Sequence, residues 1–254
     1  MKKNIAVITI SAAVADFYQR LLTELLGDVA KIEQYSFEKD TVSKLRPADL
    51  YLVAATSSDT YERAISYIPP DGVVVISDLT ITKENYRKLA AFPKGTQAML
   101  VNLSRNMAIE SISMLHHLGL NNIEFTPVYP GLTGIPDIPL AITPGERRFV
   151  PPDVPTVLDI GDRVFTANVI MEIALKLGAL DFLESARYRE YISHLATVDY
   201  SLNSLSVKNL TLESKFDILL NALDTGIIGV DEDHFVFAIN PAAENILGLS
   251  LIHI

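Results

Sequence analysis

Polar side chains follow several apolar runs of the sequence, at the positions where strands of a parallel sheet would end. In doubly wound α/β proteins, ligands bind beyond the carboxyl ends of such strands, near helix N-termini that offer backbone N–H groups to anions. Hydroxyl and amide groups there suit a small anionic metabolite. The predicted ligand-binding residues are Ser11, Thr56, Ser57, Ser77, Asp78, Asn102 and Ser104, with Ser58 and Thr143 in the same pattern. Each could instead be only a helix cap or a turn residue.

No known catalytic motif accompanies these residues. The sequence has no G-x-G-x-x-G after its first strand, no G-x-x-x-x-G-K, no G-x-S-x-G and no H-E-x-x-H. It has no cysteine, and its five histidines lack the spacing of metal ligands. We therefore predict no enzyme activity, no cofactor and no metal. The alternative is an enzyme acting in a cleft between two lobes, which would need an acid/base pair there.

The candidate residues are separated by alternating strand-like and helical segments. Such alternation, with continuous Val/Ile-rich runs, indicates a mainly parallel sheet covered on both faces. We therefore predict an α/β fold, with a two-lobed, mainly parallel-sheet domain over residues 1–180. Strand-like runs begin at Ile5, Val29, Asp49, Gly72, Gln97, Asn122, Pro139 and Thr156, and helical patterns cover residues 58–67, 82–92, 104–118 and 163–177. Residues 121–160 have Pro/Gly-rich connections in place of helices and form the less regular part of the second lobe.

The N-terminus allows two interpretations. Lys2 and Lys3, the apolar stretch IAVITISAAVA and the following Asp16 imitate a secretory signal with an A-x-A cleavage site. The alternative is a buried strand over residues 5–10 that runs into an amphipathic helix. The apolar face of that helix consists of Val14, Phe17, Leu21, Leu22 and Leu25. The continued periodicity favours the strand, and with it a cytoplasmic protein over a secreted solute-binding protein.

The charge balance argues against a nucleic-acid surface. The chain of 254 residues carries 21 basic and 31 acidic side chains, for a net charge of −10, whereas such surfaces concentrate lysine and arginine. No apolar run approaches the ~20 residues that cross a bilayer. We therefore expect neither direct nucleic-acid binding nor a membrane span.

A heptad pattern covers residues 181–223. Apolar residues recur at alternating spacings of four and three, which is the a/d pattern of a coiled coil. The predicted dimerisation residues are Leu195, Val198, Leu202, Leu205, Asn209, Leu212 and Phe216, within a pattern that runs from Tyr191 to Leu223. Asn209 occupies an a position, where a buried amide favours a parallel homodimer with one register. The alternative is two ordinary amphipathic helices with a break near the segment SLNSLS.

Residues 224–248 combine a predicted hairpin with a helix. Strand-like residues around Ile228 and Phe237 flank an acidic turn at residues 231–233, and Asn240 followed by Pro241 is a good helix start. This stretch resembles the opening of a PAS domain and implies the first strands of an α+β fold. The residues that carry the resemblance are Leu223, Asp224, Gly226, Ile227, Ile228, Val230, Asp231, Asn240, Pro241, Ala242, Ala243, Glu244, Leu247 and Gly248. Residues 249–254 match the translation of a transposase sequencing adapter, so we predict a non-native tail and a truncated PAS domain.

Three further segments extend the resemblance over most of residues 4–248. The segments LVNLSRNMAIESI, ITPGE and LDIGDRVF resemble the N-terminal sensory regions of PAS-containing, sigma-54-dependent transcriptional activators of Gram-positive anaerobes. The resemblance implies a ligand-sensing α/β domain whose state passes through the coiled coil and PAS domain to an AAA+ ATPase and a helix-turn-helix domain. Those missing domains, rather than this chain, would contact sigma-54 RNA polymerase and DNA. The resemblance names no effector, and the input region of a PAS-containing sensor histidine kinase is the alternative.

Overall fold

The computed structural model describes residues 2–54, 58–197, 226, 228–230, 236–239 and 241–247. Contacts divide the chain into two compact units, Met1–Val198 and Asp199–Ile254. In chain order, the first unit contains β1 (Lys3–Thr9), α1 (Ala12–Leu26), β2 (Ala30–Ser36), β3 (Leu50–Ala54), α2 (Ser58–Ile65), β4 (Val74–Ile76), β5 (Leu79–Thr80), α3 (Lys83–Ala90), β6 (Thr96–Val101), α4 (Arg105–His117), β7 (Ile123–Val128), β8 (Leu140–Thr143), β9 (Thr156–Asp159), β10 (Val164–Phe165), α5 (Ala167–Leu177), α6 (Leu180–Leu183) and α7 (Ala186–His194). Short 3-10 helices lie at Val42–Lys44 and Arg147–Phe149.

The first lobe is built on a four-stranded parallel sheet with the order β2-β1-β3-β4. The central strand β1 is buried on both faces because its apolar run lets alternate side chains pack on opposite sides. Ile5 and Val7 contact the core beneath α1 and α5, whereas Ala6 and Ile8 pack with Ala64 of α2. The strand predicted at residues 5–10 is therefore confirmed as the centre of a sheet.

The second lobe repeats this strand order with β7-β6-β8-β9, and all its pairings are parallel. Leu89 of α3 and Leu115 of α4 cover one face of the sheet. The other face is covered by loop residues, including Leu132 and Phe149, in the Pro/Gly-rich region predicted to be less regular. The two sheets confirm the predicted two-lobed, mainly parallel α/β architecture.

The two lobes are joined by a short antiparallel pair that the sequence analysis did not predict. The strands β5 and β10 pair through Leu79 and Phe165, and Val164 lies opposite Thr80. The chain enters the second lobe through β5 and returns through β10 to α5, which packs on the first lobe. The helix predicted to begin at residue 163 begins instead at Ala167. The prediction was wrong there because strand pairing takes up residues 164 and 165.

The predicted heptad helix is wrong at its start. The helix α7 ends at His194, and Leu195 is extended, 2% exposed and bridged to Thr82. Two tertiary hydrogen bonds hold the next residue, because Ala196 N donates to Ile81 O and Thr80 Oγ1 donates to Ala196 O, both at 2.8 Å. Leu195 therefore belongs to the core of the first unit and not to a coiled-coil seam. The other predicted seam residues, Val198, Leu202, Leu205, Asn209, Leu212 and Phe216, lie outside the described residues.

The second unit contains a hairpin of β11 (Ile228–Val230) and β12 (Val236–Ile239), followed by α8 (Pro241–Leu247). Gly226 lies close to this helix, since a Cβ at that position would be 2.9 Å from Ala243 Cα. The strands and the helix lie where the alternating pattern and the Asn-Pro helix start predicted them. Their membership of a PAS domain stays a prediction, and residues 249–254 lie outside the described chain.

Among the helices that the structure describes, none combines the length and the apolar character needed to traverse a bilayer.

Candidate functional site

A cleft lies between the two lobes of the first unit, where the carboxyl ends of both sheets meet the crossover strands. The first lobe contributes Ile10, Ser11, Val14, Tyr18 and Ala54. The second lobe contributes Asn102, Leu103, Met107, Pro144 and Glu146, and the crossovers contribute Leu79, Asp162 and Arg163. The cavity is about 40 Å³, whereas ligand sites are typically ~300–1,000 Å³. The cleft in this structure is therefore smaller than a typical ligand site.

The structure brings two of the seven predicted ligand-binding residues into the cleft, namely Ser11 and Asn102. Ser104 instead caps α4, because its hydroxyl accepts a hydrogen bond from Met107 N at 3.3 Å. Ser77 is buried with an unpaired hydroxyl but does not line the cleft, and Asp78 is exposed beside β5. Thr56 and Ser57 lie outside the described residues.

Asn102 connects the end of β6 to α4. Its amide nitrogen donates to Met107 O at 3.2 Å and to Ser111 Oγ at 3.1 Å, and its carbonyl oxygen accepts from Leu103 N at 2.7 Å. Both amide hydrogens are therefore already used inside the second lobe. Asn102 shapes the wall of the cleft and leaves only acceptor capacity for a ligand.

Ser11 contributes a buried hydroxyl to the cleft. It is 5% exposed and precedes α1, yet its hydroxyl does not cap the helix and has no hydrogen-bond partner among the described residues. The neighbouring Ala12 N donates instead to Glu38 Oε2 at 2.7 Å, and this bond lowers the pKa of Glu38. The Ser11 hydroxyl interacts weakly with the Glu38 carboxylate and lowers that pKa further, although the two groups do not meet the distance and angle criteria of a hydrogen bond. A buried hydroxyl without a partner costs about 1–3 kcal/mol, so a ligand that bonds to it would recover stability.

Arg163 supplies a positive charge to the cleft. The residue is partly buried between Asp162 and β10, and within the described ranges no carboxylate forms an ion pair with it. A guanidinium group is the side chain best suited to a carboxylate or a phosphate, because its N–H donors can bind both oxygens at once. Arg163 is therefore the strongest anion-binding group of the cleft.

Two carboxyl groups share the cleft with Arg163. Glu146 is 7% exposed, and its Oε2 accepts a hydrogen bond from Arg148 Nε at 3.1 Å. Burial raises the pKa of Glu146 despite the opposing charge of Arg148. Within the described part of the chain the Asp162 carboxylate forms no hydrogen bond or ion pair, and burial, followed by repulsion from Asp159, raises its pKa. These carboxyl groups are the feature most unlike the predicted site, which consisted mainly of hydroxyls and amides.

Gly145 allows the Asp162 carboxylate to lie against the backbone after β8. A Cβ at position 145 would be 2.7 Å from Asp162 Oδ1, and the residue has a φ of +80°. Both conditions favour glycine. Asp159 holds the same turn, since its Oδ1 accepts from Gly145 N at 3.0 Å and from Gly161 N at 2.9 Å.

Sequence reasoning missed Glu146, Asp162 and Arg163 as site residues, although a signal for them was present. They lie in ITPGE and LDIGDRVF, and Asn102, Leu103 and Met107 lie in LVNLSRNMAIESI. The fold brings these three distant segments to one cleft. Charged residues within a segment that also carries a family resemblance would have been better candidates than hydroxyls chosen by strand position.

Asp162→Asn should raise the free energy of unfolding at neutral pH by at most about 1 kcal/mol, because solvent screens the charge of this half-buried carboxylate. Because the pKa of Asp162 is raised in the folded state, its ionisation opposes folding. Its contribution to stability is greatest below its unfolded pKa and declines as the pH rises through its folded pKa. Urea unfolding from about pH 4 to about pH 8 should show the difference between variant and parent growing with pH.

The exposed Asp153 provides the control for this charge change. Asp153→Asn should leave the pH dependence of stability unaltered. An Asp162→Asn profile parallel to that of the parent throughout the range would contradict the buried-carboxylate interpretation.

The described residues contain no group of three or more His, Asp or Glu side chains placed to hold a metal ion. The cleft offers hydroxyl, guanidinium and carboxylate groups to a ligand. The resemblance to sigma-54-dependent activators stays a prediction. No family model matches this chain, and its comparison with curated proteins and with solved structures also found no match.

Proposed function

We propose that the first unit is a ligand-sensing input domain that binds a small anionic metabolite in the cleft between its lobes. The observation that carries this proposal is the buried hydroxyl of Ser11, which has no partner among the described residues, in the same cleft as the Arg163 guanidinium, which forms no ion pair with a described carboxylate. The Ser11 hydroxyl is costly in the absence of a ligand, because buried polar atoms normally have partners. Arg163 is partly buried and adds a positive charge beside it. An anion that accepts from both would complete their hydrogen bonding.

Binding would be coupled to a change in the lobes. The small cavity and the two short crossover strands, β5 and β10, allow the lobes to separate around a hinge without disrupting either sheet. A ligand shifts such an equilibrium only by its difference in affinity for the two states. Contacts to Ser11 of the first lobe and Arg163 of the crossover would provide that difference.

The connection from α7 into residue 198 and beyond provides a route for this signal. Thr82 and Leu195 pair beside the crossover, so movement of the crossover reaches the end of the first unit directly. We propose that the heptad residues from Val198 to Leu223 form a parallel homodimer that passes the state to a PAS domain. The family resemblance of the sequence supports the input region of a cytoplasmic sigma-54-dependent regulator, with a sensor histidine kinase input as the alternative.

The position of β1 supports a cytoplasmic protein over a secreted solute-binding protein. Lys3–Thr9 forms the strand between β2 and β3. Cleavage at the A-x-A site would remove this strand and expose the apolar core on both faces of the sheet. The segment that imitates a signal peptide therefore has a structural role in the folded domain.

A thermal-shift screen of the full chain with organic acids and phosphate esters tests the anion-binding proposal. An anion at 100 times its dissociation constant adds about 2.7 kcal/mol of stability. Arg163→Gln should weaken binding of that anion about tenfold or more, because a hydrogen bond to a charged group contributes ~1.5–3 kcal/mol. Arg87→Gln, a change at an exposed arginine of α3, is the control and should bind like the parent. If no anion shifts melting, or if Arg163→Gln binds as tightly as Arg87→Gln, the proposal fails.

An enzyme is the second candidate, and the presence of both Glu146 and Asp162 in the cleft favours it. Two carboxyl groups with perturbed pKa values can act as general acid and base. Proton NMR of the bound compound after long incubation distinguishes the two functions. A sensor returns the compound unchanged, whereas an enzyme converts it, and Asp162→Asn would then stop the conversion.

A further inference from the structure

The cleft contains unpaired groups of both charges. Arg163 lacks an ion-pair partner in the described chain, and the neighbouring Asp162 carboxylate lacks both an ion pair and a hydrogen bond. Although the two residues are adjacent in the sequence, their side chains do not form an ion pair with each other. Each charged group therefore remains available to a ligand. Ser11 adds a hydroxyl that is also unpaired. A purely anionic ligand would use Arg163 and Ser11 but leave Asp162 without a partner.

Glu146 and Asp162 have different roles in this arrangement. The Glu146 carboxylate is held by Arg148 at 3.1 Å, so its charge is partly balanced within the second lobe. The charges of Arg20 and Arg163 lower the pKa of Asp162, but burial outweighs them. Asp162 is therefore the carboxylate that a positive group on a ligand would stabilise most.

The unpaired Asp162 carboxylate would distinguish between ligands of different charge, because it repels anions and attracts cations. Like charges repel more strongly near a protein surface than in bulk water, because the effective dielectric constant is lower there. An anion placed on Arg163 experiences this repulsion from Asp162. A ligand that carries an ammonium group next to its carboxylate converts the repulsion into attraction.

We infer that the cleft binds a small zwitterion of the α-amino acid class, an inference that rests on the proposed function. The reason is that the unpaired Arg163 and Asp162 line the cleft together with the buried Ser11. The carboxylate of the ligand binds the Arg163 guanidinium and the Ser11 hydroxyl. Its ammonium group donates to the Asp162 carboxylate. The ligand side chain then lies against the apolar wall formed by Val14, Leu103 and Met107.

Matched pairs of compounds test this inference on the full chain. L-serine is compared with 3-hydroxypropionate and L-aspartate with succinate, by thermal shift and by calorimetric titration. We expect an amino acid to bind at least tenfold more tightly than its deaminated partner. Asp162→Asn should remove this preference, since it removes the ammonium partner without removing Arg163. Arg163→Gln should weaken both members of a pair.

The outcomes separate the inference from the proposed function. Equal binding of the acid and the amino acid, or an unchanged preference in Asp162→Asn, overturns the zwitterion and leaves the anion site intact. Binding of ethanolamine without binding of any carboxylate overturns both. The absence of any binding among these probes and the organic anions also overturns both. Because Asp162→Asn is expected to be more stable than the parent, loss of binding in that variant reports on the site and not on unfolding.

Discussion

Phe165→Ala should lower the free energy of unfolding of the first unit by about 3–5 kcal/mol, the usual cost of truncating a buried aromatic side chain. Phe165 is fully buried, and its ring lies 4.4 Å from that of Tyr18, centroid to centroid. Its carbonyl accepts a hydrogen bond from Tyr191 Oη at 2.6 Å. The residue therefore joins the crossover, α1 and α7 at a single position. Urea unfolding followed by circular dichroism measures the loss.

Phe165→Leu is the matched control, because it keeps most of the apolar volume. It should cost about 1–1.5 kcal/mol. The alanine variant should also weaken ligand binding, since Tyr18 and the adjacent Arg163 both line the cleft. A cost below about 1 kcal/mol for Phe165→Ala would mean that the crossover does not pack as described.

Leu202→Asp and Leu195→Asp should affect different properties of the protein. Leu195 is 2% exposed inside the first unit, so a carboxylate there should cost about 3 kcal/mol or more through lost packing and burial of charge. Leu202 lies outside the described residues, in the predicted seam. Leu202→Asp should convert a dimer to a monomer, because two carboxylates would meet in the seam without partners.

Sedimentation equilibrium and thermal melting of both variants separate the two effects. We expect Leu202→Asp to be monomeric while its first unit melts at the parental temperature. Leu195→Asp should instead lower the melting temperature of the first unit. A monomeric parent would refute the parallel dimer, and equal effects of the two substitutions on mass would mean that Leu195 also belongs to the seam.

The strands of this protein are predictable because their sequence signal is local. Eight apolar runs were predicted as strands, and a strand of the structure overlaps each of them. A run such as Ile5 to Ile8 has one favourable environment, a sheet interior buried on both faces, so periodicity and composition suffice. The Ser104 cap was predictable for the same reason, since it depends on residues within one helical turn.

The crossover strands and the end of α7 were not predictable from local sequence, because both are determined by contacts with residues distant in the chain. The strands β5 and β10 have two residues each, too few for any periodicity, and they form because Leu79 and Phe165 pair across the lobes. Leu195 fits a heptad as well as Leu202 does. Its extended conformation follows from the bridge to Thr82 and from the hydrogen bonds of Ala196 to residues 80 and 81. Tertiary contacts here override a helical pattern.

The sequence by itself determined the α/β class, the two parallel sheets and the expectation that ligands bind at their carboxyl ends. Only the tertiary structure decided which side chains meet there. Ser11, Glu146 and Asp162 lie far apart in the chain, and their convergence depends on how the two sheets and the crossover pack. Composition likewise does not determine which charged side chains form ion pairs, because an arginine is paired only if the fold places a carboxylate close to it. Arg148 forms an ion pair with Glu146, whereas Arg163 forms no ion pair with a carboxylate of the described residues. This difference makes the cleft a candidate binding site.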